Sequence, residues 1–427
     1  MNQDISICVL TENEMGWTEP FELDKVQILD NYYLSAQKSD IAFLKKMDTA
    51  RLLAGFRTTA GIDTKGVRPY GGWEDSLLGG HCVGHYLTAL AQAVKVTGDK
   101  ELKEKSQTLI AGLEECQKKL GTGFLFGAKV EDKEDVEKQF DILEGKKKGE
   151  TWVPWYNMHK VLAGLVDTYK YTGNETALLV GDWIYARVSK WDLKTNQKVL
   201  ETEYGGMNDC LYELYSYSHN KHHLEAAQKF DEKALFLMAA KGEKNCLDGK
   251  HANTQIPKFI GAIKRYNVLK QLGEAKQEDE AYLADAEKFF GMVVKRHSFI
   301  TGGISVMEHF RKDYHLDEIR TQTNCESCCA HNMLKLAKEL FKATRKKEYA
   351  DYYETTLRNA IMGAVKTESG AASYFTPMAT GYYKTFGEEE PEKNMFWCCT
   401  GSGMENFTKL GDSIYFRAND TLLVNQY

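Results

Sequence analysis

Val83-Gly84-His85-Tyr86-Leu87-Thr88-Ala89-Leu90, followed shortly by Val96-Thr97-Gly98-Asp99, is the stretch that decides the fold. Its apolar positions 83, 86, 87, 90 and 94 keep the i, i+3, i+4, i+7 spacing of an amphipathic helix. Gly98 suits a left-handed C-cap and Asp99 can cap a following helix, so the stretch predicts two helices joined by a tight hairpin. The same helical spacing returns at 162, 165, 166 and 169 and at 333, 336, 337 and 340. Comparable joints stand at Tyr171-Thr172-Gly173-Asn174, Tyr217-Ser218-His219-Asn220 and Leu272-Gly273-Glu274. Helical hairpins recurring in this way predict a mainly α chain, wound as a solenoid or closed into a toroid.

Outward from the helices, the ends read as extended chain. Ile5 to Leu10 and Val26-Gln27-Ile28-Leu29 are each short enough to be a strand. Ile414-Tyr415-Phe416 and Thr421-Leu422-Leu423-Val424 flank Ala418-Asn419-Asp420 and predict a β-hairpin, with Val424-Asn425-Gln426-Tyr427 an apparent strand at which a cut-off β domain begins. The charged segments Lys129 to Glu150 and Glu388-Glu389-Glu390 read as solvated insertions.

The 427 residues, 43% of them hydrophobic, can bury a large core, and six prolines with 35 glycines argue against disorder. A net charge of −6 without a sustained basic patch makes nucleic acid a poor partner. No apolar run is long enough to span a bilayer, and Met1-Asn2-Gln3-Asp4 lacks the start of a signal peptide. The expectation is a cytoplasmic protein, or a periplasmic one if a signal was removed. Ten irregularly spaced cysteines do not resemble a disulfide scaffold, and a reducing compartment would keep them as thiols or metal ligands.

Chemistry concentrates in two thiol clusters, Cys325-Glu326-Ser327-Cys328-Cys329 and Phe396-Trp397-Cys398-Cys399-Thr400-Gly401. Zinc accepts Cys sulfur and Glu oxygen in a tetrahedral shell, so Glu326 with Cys328 and Cys398 with Cys399 would supply four ligands if the fold joins them. Adjacent side chains of extended backbone diverge, so the reading expects a sharp bend at Thr400-Gly401-Ser402-Gly403. The competing reading is that Cys325, Cys328 and Cys329 simply pack into a helix core. Glu308, among Val306, Met307 and Phe310, has apolar neighbours that would raise its pKa and suit it to general acid work. Glu354 lies in an aromatic setting, and His81, His85, His159 and His251 could orient hydroxyls. Ordinary exposure for the carboxylates and ordinary hydrogen bonding for the histidines are the plain alternatives. Between the helices run Tyr70-Gly71-Gly72-Trp73-Glu74, Trp152-Val153-Pro154-Trp155-Tyr156-Asn157, Glu203-Tyr204-Gly205-Gly206-Met207-Asn208 and Thr301-Gly302-Gly303-Ile304. Such aromatic and polar connections suit a sugar ring, unless they only plug the toroid.

Gly-His-Tyr-Leu-Thr-Ala-Leu from 84, Val-Pro-Trp-Tyr-Asn-Met-His-Lys from 153, His-Ala-Asn-Thr-Gln-Ile-Pro-Lys from 251, Gly-Gly-Ile-Ser-Val-Met-Glu-His-Phe from 302 and Phe-Trp-Cys-Cys-Thr-Gly-Ser-Gly-Met-Glu-Asn from 396 resemble the bacterial β-L-arabinofuranosidases of glycoside hydrolase families 127 and 146. The resemblance implies an (α/α)6 barrel followed by β-sandwich domains, hence an extended segment over 1–30, the barrel over 31–410 and the start of a truncated β domain over 411–427. It implies Zn2+ held by Glu326, Cys328, Cys398 and Cys399, with Cys398 also the nucleophile and Glu308 the acid/base. It implies arabinose contacts from Glu354 and Tyr374 and, more loosely, from His159 and His251, and an arabinose-containing glycan as substrate. Phe396 stands where one branch of the family has a histidine two residues before the nucleophile. A homodimer is left open, as are two other functions: a zinc-thiolate transferase or cyclase on a helical toroid, and a carbohydrate-binding toroid with structural zinc.

Overall fold

Gly98 adopts a left-handed φ of 66° and the Asp99 carboxylate accepts the N–H of Leu102, so this joint closes as its residues require. The computed structural model describes residues 17–130, 132–386 and 395–426. Within them, twelve helices alternate between an outer and an inner ring. They are α1 (Asn31–Lys46), α2 (His81–Thr97), α3 (Lys100–Leu120), α4 (Pro154–Thr172), α5 (Thr176–Val188), α6 (Met207–Ser218), α7 (Lys221–Lys229), α8 (Ala252–Gln271), α9 (Glu280–His297), α10 (Ser327–Thr344), α11 (Lys347–Thr356) and α12 (Cys398–Thr408). Even-numbered helices are inner: α2 packs on α4, α4 on α6, and so through α8, α10 and α12 back to α2. The ring is closed, so the toroid is the correct choice over the open solenoid.

Two close approaches let the inner helices meet. A Cβ on Gly84 would lie 1.9 Å from the carbonyl oxygen of Lys160, and one on Gly401 would lie 2.3 Å from the His85 ring. Contact this close, with backbone at Gly84 and with a buried ring at Gly401, needs glycine. Between the rings the core is aromatic-rich: Trp155 packs edge to face on Phe140, Trp191 and Phe230, and Phe259 stacks on Phe289 at 3.9 Å.

Phe140 corrects the reading of 129–150 as a solvated insertion. It is fully buried on a short helix, Lys138–Leu143, and Arg187 clamps that helix through Glu137, Asp141 and Glu144. The alternation of charge with Phe140 and Leu143 hides one apolar face from a composition count. Glu388 to Glu390 and the run from Ile5 lie outside the described residues. Val26 to Leu29 is irregular rather than a strand; among the described residues no strand pairs with it, and Asp30 caps α1 at once.

The C-terminal hairpin pairs β4 (Tyr415–Ala418) with β5 (Thr421–Val424), and the N-terminal β1 (Glu19–Pro20) joins it antiparallel to β4. A second, parallel pair, β2 (Gly71–Gly72) with β3 (Met395–Phe396), ties the loop before α2 to the segment entering α12.

Candidate active site

All inner helices run the same way, beginning at His81, Pro154, Met207, Ala252, Ser327 and Cys398 around one end of the axis. A helix N-terminus presents unpaired N–H groups and the positive end of its dipole, so this end favours anionic side chains. Two buried carboxyl groups accept these N–H bonds: Glu74 from Gly80 and Cys82, and Glu203 from Trp155 and Tyr156 at 3.1 and 3.2 Å, although burial outweighs them at Glu203.

Glu326 is the N-cap of α10 and Cys328 lies in its first turn, while Cys398 and Cys399 open α12. The ligand atoms of these four residues lie within 4.8 Å of one another. The expected bend at Thr400 to Gly403 is not there, because those residues are helical. Successive helical side chains diverge by about 100°, rather than the 180° of a strand, and at a helix end both can reach a point on the axis. Gly401 serves packing against His85 instead of a turn.

The donor set fits a tetrahedral metal. Zinc at about 2.3 Å from sulfur sets ligand-to-ligand edges of roughly 3.8 Å. Here Cys398 and Cys399 sulfurs are 3.9 Å apart, and Glu326 Oε1 is 3.9 and 3.8 Å from them. The second carboxylate oxygen, Oε2, accepts the Cys329 thiol at 3.2 Å, and the Cys328 sulfur meets Ser402 Oγ at 3.1 Å. Hydrogen bonds from Cys328 and Cys399 hold the Cys398 thiol well below its ordinary range, whereas burial pushes the Cys328 and Cys399 thiols up.

Glu308 faces this cluster from the tip of a two-residue hairpin. Val306 and His309 exchange both backbone hydrogen bonds at 3.0 Å, and Met307 and Glu308 take φ of 47° and 67°. Both central residues are left-handed, the conformation of a type I′ turn, which Asn-Gly occupies without strain and Met-Glu does not. Such stored strain is common where a side chain must be held in place. The Glu308 carbonyl accepts the Ala252 N–H at 2.7 Å, docking the turn on the start of α8.

The Tyr374 hydroxyl donates to Glu308 Oε1 and lies 3.3 Å from the Cys398 sulfur. His251 Nε2 is 3.4 Å from Glu308 Oε2. The expectation of a raised Glu308 pKa is overturned. The bond from His251, with that from Tyr374, outweighs burial and holds the carboxyl below its usual range, because its actual neighbours are donors rather than the apolar residues adjacent in sequence.

Glu308, Glu326, Cys328, Cys398, Cys399, Tyr374 and His251 are thus brought together. His159 sits deeper: it is 4% exposed, its ring lies against Gly206, and it lines a small cavity of about 50 Å³ with His85, Lys160, His331 and Glu405. Glu354 is not brought to the cluster, since it pairs with Arg358 at 3.0 Å one turn along the chain and lies near Tyr33 of α1. Tyr204, whose ring is 5.0 Å from that of His251, and His81, whose Nδ1 is 2.7 Å from Glu74, also flank the site. Tyr204 is buried partly beside Tyr156, and only its place in a Gly-rich connection signalled it.

Comparison with known proteins gives the family and the fold. The model of the β-L-arabinofuranosidase GH127 catalytic domain matches residues 25–412. No curated protein matches. Among solved structures, the GH127 β-arabinofuranosidase BT3674 superposes with a TM-score of 0.72 at 18% identity, over 97% of this chain and 65% of that one. Ara127N-Se, a GH127 β-L-arabinofuranosidase from Geobacillus Stearothermophilus T6, superposes with a TM-score of 0.67 at 16% identity, over 94% of this chain and 67% of its own. The chain therefore spans about two thirds of the length of these relatives.

Proposed function

Since the chain belongs to the GH127 β-L-arabinofuranosidase catalytic-domain family, we propose that it is a zinc-dependent retaining glycoside hydrolase that releases β-L-arabinofuranose from an arabinose-containing glycan. The observation that carries this reading is the three-residue line Cys398, Tyr374, Glu308 beside the Glu326-Cys328-Cys399 cluster. One hydroxyl touching both groups limits the separation of sulfur and carboxylate to two hydrogen bonds, roughly 6 Å. Retaining enzymes hold their two groups at about that spacing, close enough for covalent attack and too close to seat a water between them.

Cys398 attacks the anomeric carbon, forming a C–S bond as the bond to the leaving oxygen breaks and Glu308 gives that oxygen its proton. Glu308 then takes a proton from water, whose oxygen bonds the same carbon as the C–S bond breaks. Two inversions give retention. Zinc held by Glu326, Cys328, Cys398 and Cys399 would supply ionisation and a fixed orientation of the nucleophilic sulfur. The bonds from His251 and Tyr374 favour ionised Glu308, which suits the base half of the cycle. The acid half requires those bonds to loosen as the sugar enters. His251 and Tyr374 are then free to meet sugar hydroxyls.

The test is hydrolysis of an aryl β-L-arabinofuranoside by Cys398→Ser and Glu308→Gln proteins. Loss of activity in both is expected, and full activity in either overturns the assignment.

A further inference from the structure

Three tryptophans form a wall that leaves the candidate nucleophile and ends in solvent. Trp397 immediately precedes Cys398, and its ring lies 5.1 Å from that of Trp73 at an interplanar angle of 86°. Trp73 lies 5.3 Å from Trp152 at 70°. Trp397 and Trp73 are half-buried, whereas Trp152 is 36% exposed.

The wall is rigid by construction. Trp73 follows β2 and Trp397 follows β3, and these strands pair in parallel, so both rings hang from one small sheet. Trp152 precedes Val153, which is buried with Leu78 and Tyr156 at the start of α4, and Thr151 Oγ1 anchors the preceding residue to the Gln139 carbonyl at 3.0 Å. The rings therefore come from three separate inner-helix entrances, and each is held before any ligand arrives. Trp155 and Trp191, by contrast, are fully packed in the core. Among the described residues, none of the indole N–H groups of Trp73, Trp152 and Trp397 has a hydrogen-bond partner. A partly exposed indole with a free donor matches a sugar ring, which offers an apolar C–H face bordered by hydroxyls.

We propose that Trp152, held by Trp73 and Trp397, is the platform on which the sugar ring next to the cleaved arabinofuranose stacks, so that this wall selects a carbohydrate aglycone. The inference rests on the glycosidase reading above, because that reading places the cleaved ring between Cys398 and Glu308. It commits to a saccharide ring as occupant, since the wall is continuous with the candidate catalytic cluster and carries no charged side chain.

The test compares Trp152→Ala and Trp152→Phe with the parent protein on a disaccharide ending in β-L-arabinofuranose and on methyl β-L-arabinofuranoside, whose aglycone is too small to stack. The ratio of kcat/KM between the two substrates should fall about tenfold in Trp152→Ala, through KM, the size of one ring contact. Trp152→Phe should retain part of the preference. An unchanged ratio overturns the platform. If the parent hydrolyses neither substrate, the glycosidase reading fails instead. Calorimetric binding of the disaccharide to parent and Trp152→Ala proteins still decides the platform: weaker binding to the variant supports it and equal binding refutes it.

Discussion

The hydroxyl of Tyr374 lies 3.3 Å from the Cys398 sulfur while donating to Glu308, so the proposed nucleophile and the proposed acid/base are joined through one phenol. Tyr374→Phe removes that junction without removing the ring. We expect kcat to fall by about two orders of magnitude, as for loss of one preorganised donor, with little change in melting temperature. Steady-state kinetics with an aryl arabinofuranoside and a thermal melt check this, and an unchanged kcat would exclude a role for the hydroxyl.

The Cys329 thiol donates to Oε2 of Glu326, while Oε1 is the oxygen that faces the Cys398 and Cys399 sulfurs. A partner of this kind fixes the ligand's orientation, and its loss commonly costs about 10–100-fold in metal affinity. Competition against a chromophoric zinc chelator should show that weakening in Cys329→Ala and a smaller one in Cys329→Ser. Equal affinity in all three proteins would leave Cys329 as mere filling.

Burial pushes the Glu203 carboxyl up to about 8, against the opposing bonds from Trp155 and Tyr156. A folded-state pKa above the unfolded value means the folded chain binds the extra proton, so this group's contribution to stability declines as pH rises from about 4.5 toward 8. Above that it is constant. Glu203→Gln cannot ionise, and urea unfolding at pH 5 and pH 8.5 should show the parent losing stability relative to the variant. A stability difference that does not move with pH would contradict the assignment.

Closure of the ring between α2 and α4 depends on Gly84, where a Cβ would meet the Lys160 carbonyl oxygen at 1.9 Å. Backbone cannot move aside as a side chain does. Gly84→Ala should therefore cost about 3 kcal/mol or more, the upper end of overpacking. Chemical denaturation measures it, and a loss under about 1 kcal/mol would show that the helices can separate at this point.

The hairpin joints were legible because glycine at a left-handed C-cap followed by Asp or Asn is a local signal: Gly98, Gly173 and Asn220 all act where their identities require. The pairing of Glu326 and Cys328 with Cys398 and Cys399 was legible only as residue types, since their meeting depends on all inner helices starting at one end. How two adjacent cysteines can face one point is not legible, because a Thr-Gly-Ser-Gly run suggests a turn when helix geometry alone suffices. The Met307-Glu308 turn had no signal, as neither residue favours a positive φ. The surroundings of Glu354 were not legible either: its aromatic neighbours in sequence say nothing of Arg358, with which its carboxylate pairs one turn along the chain.

The claim that Cys398 forms the covalent intermediate is tested most directly by intact-mass analysis of the Glu308→Gln protein after reaction with an aryl β-L-arabinofuranoside. A good leaving group needs no acid, and without its base the second step stalls. A mass increase of one anhydropentose is expected, mapped by proteolysis to the peptide carrying Cys398 and absent from Cys398→Ser. An adduct on any other residue, or turnover by Glu308→Gln at the parent rate with no adduct, would contradict it.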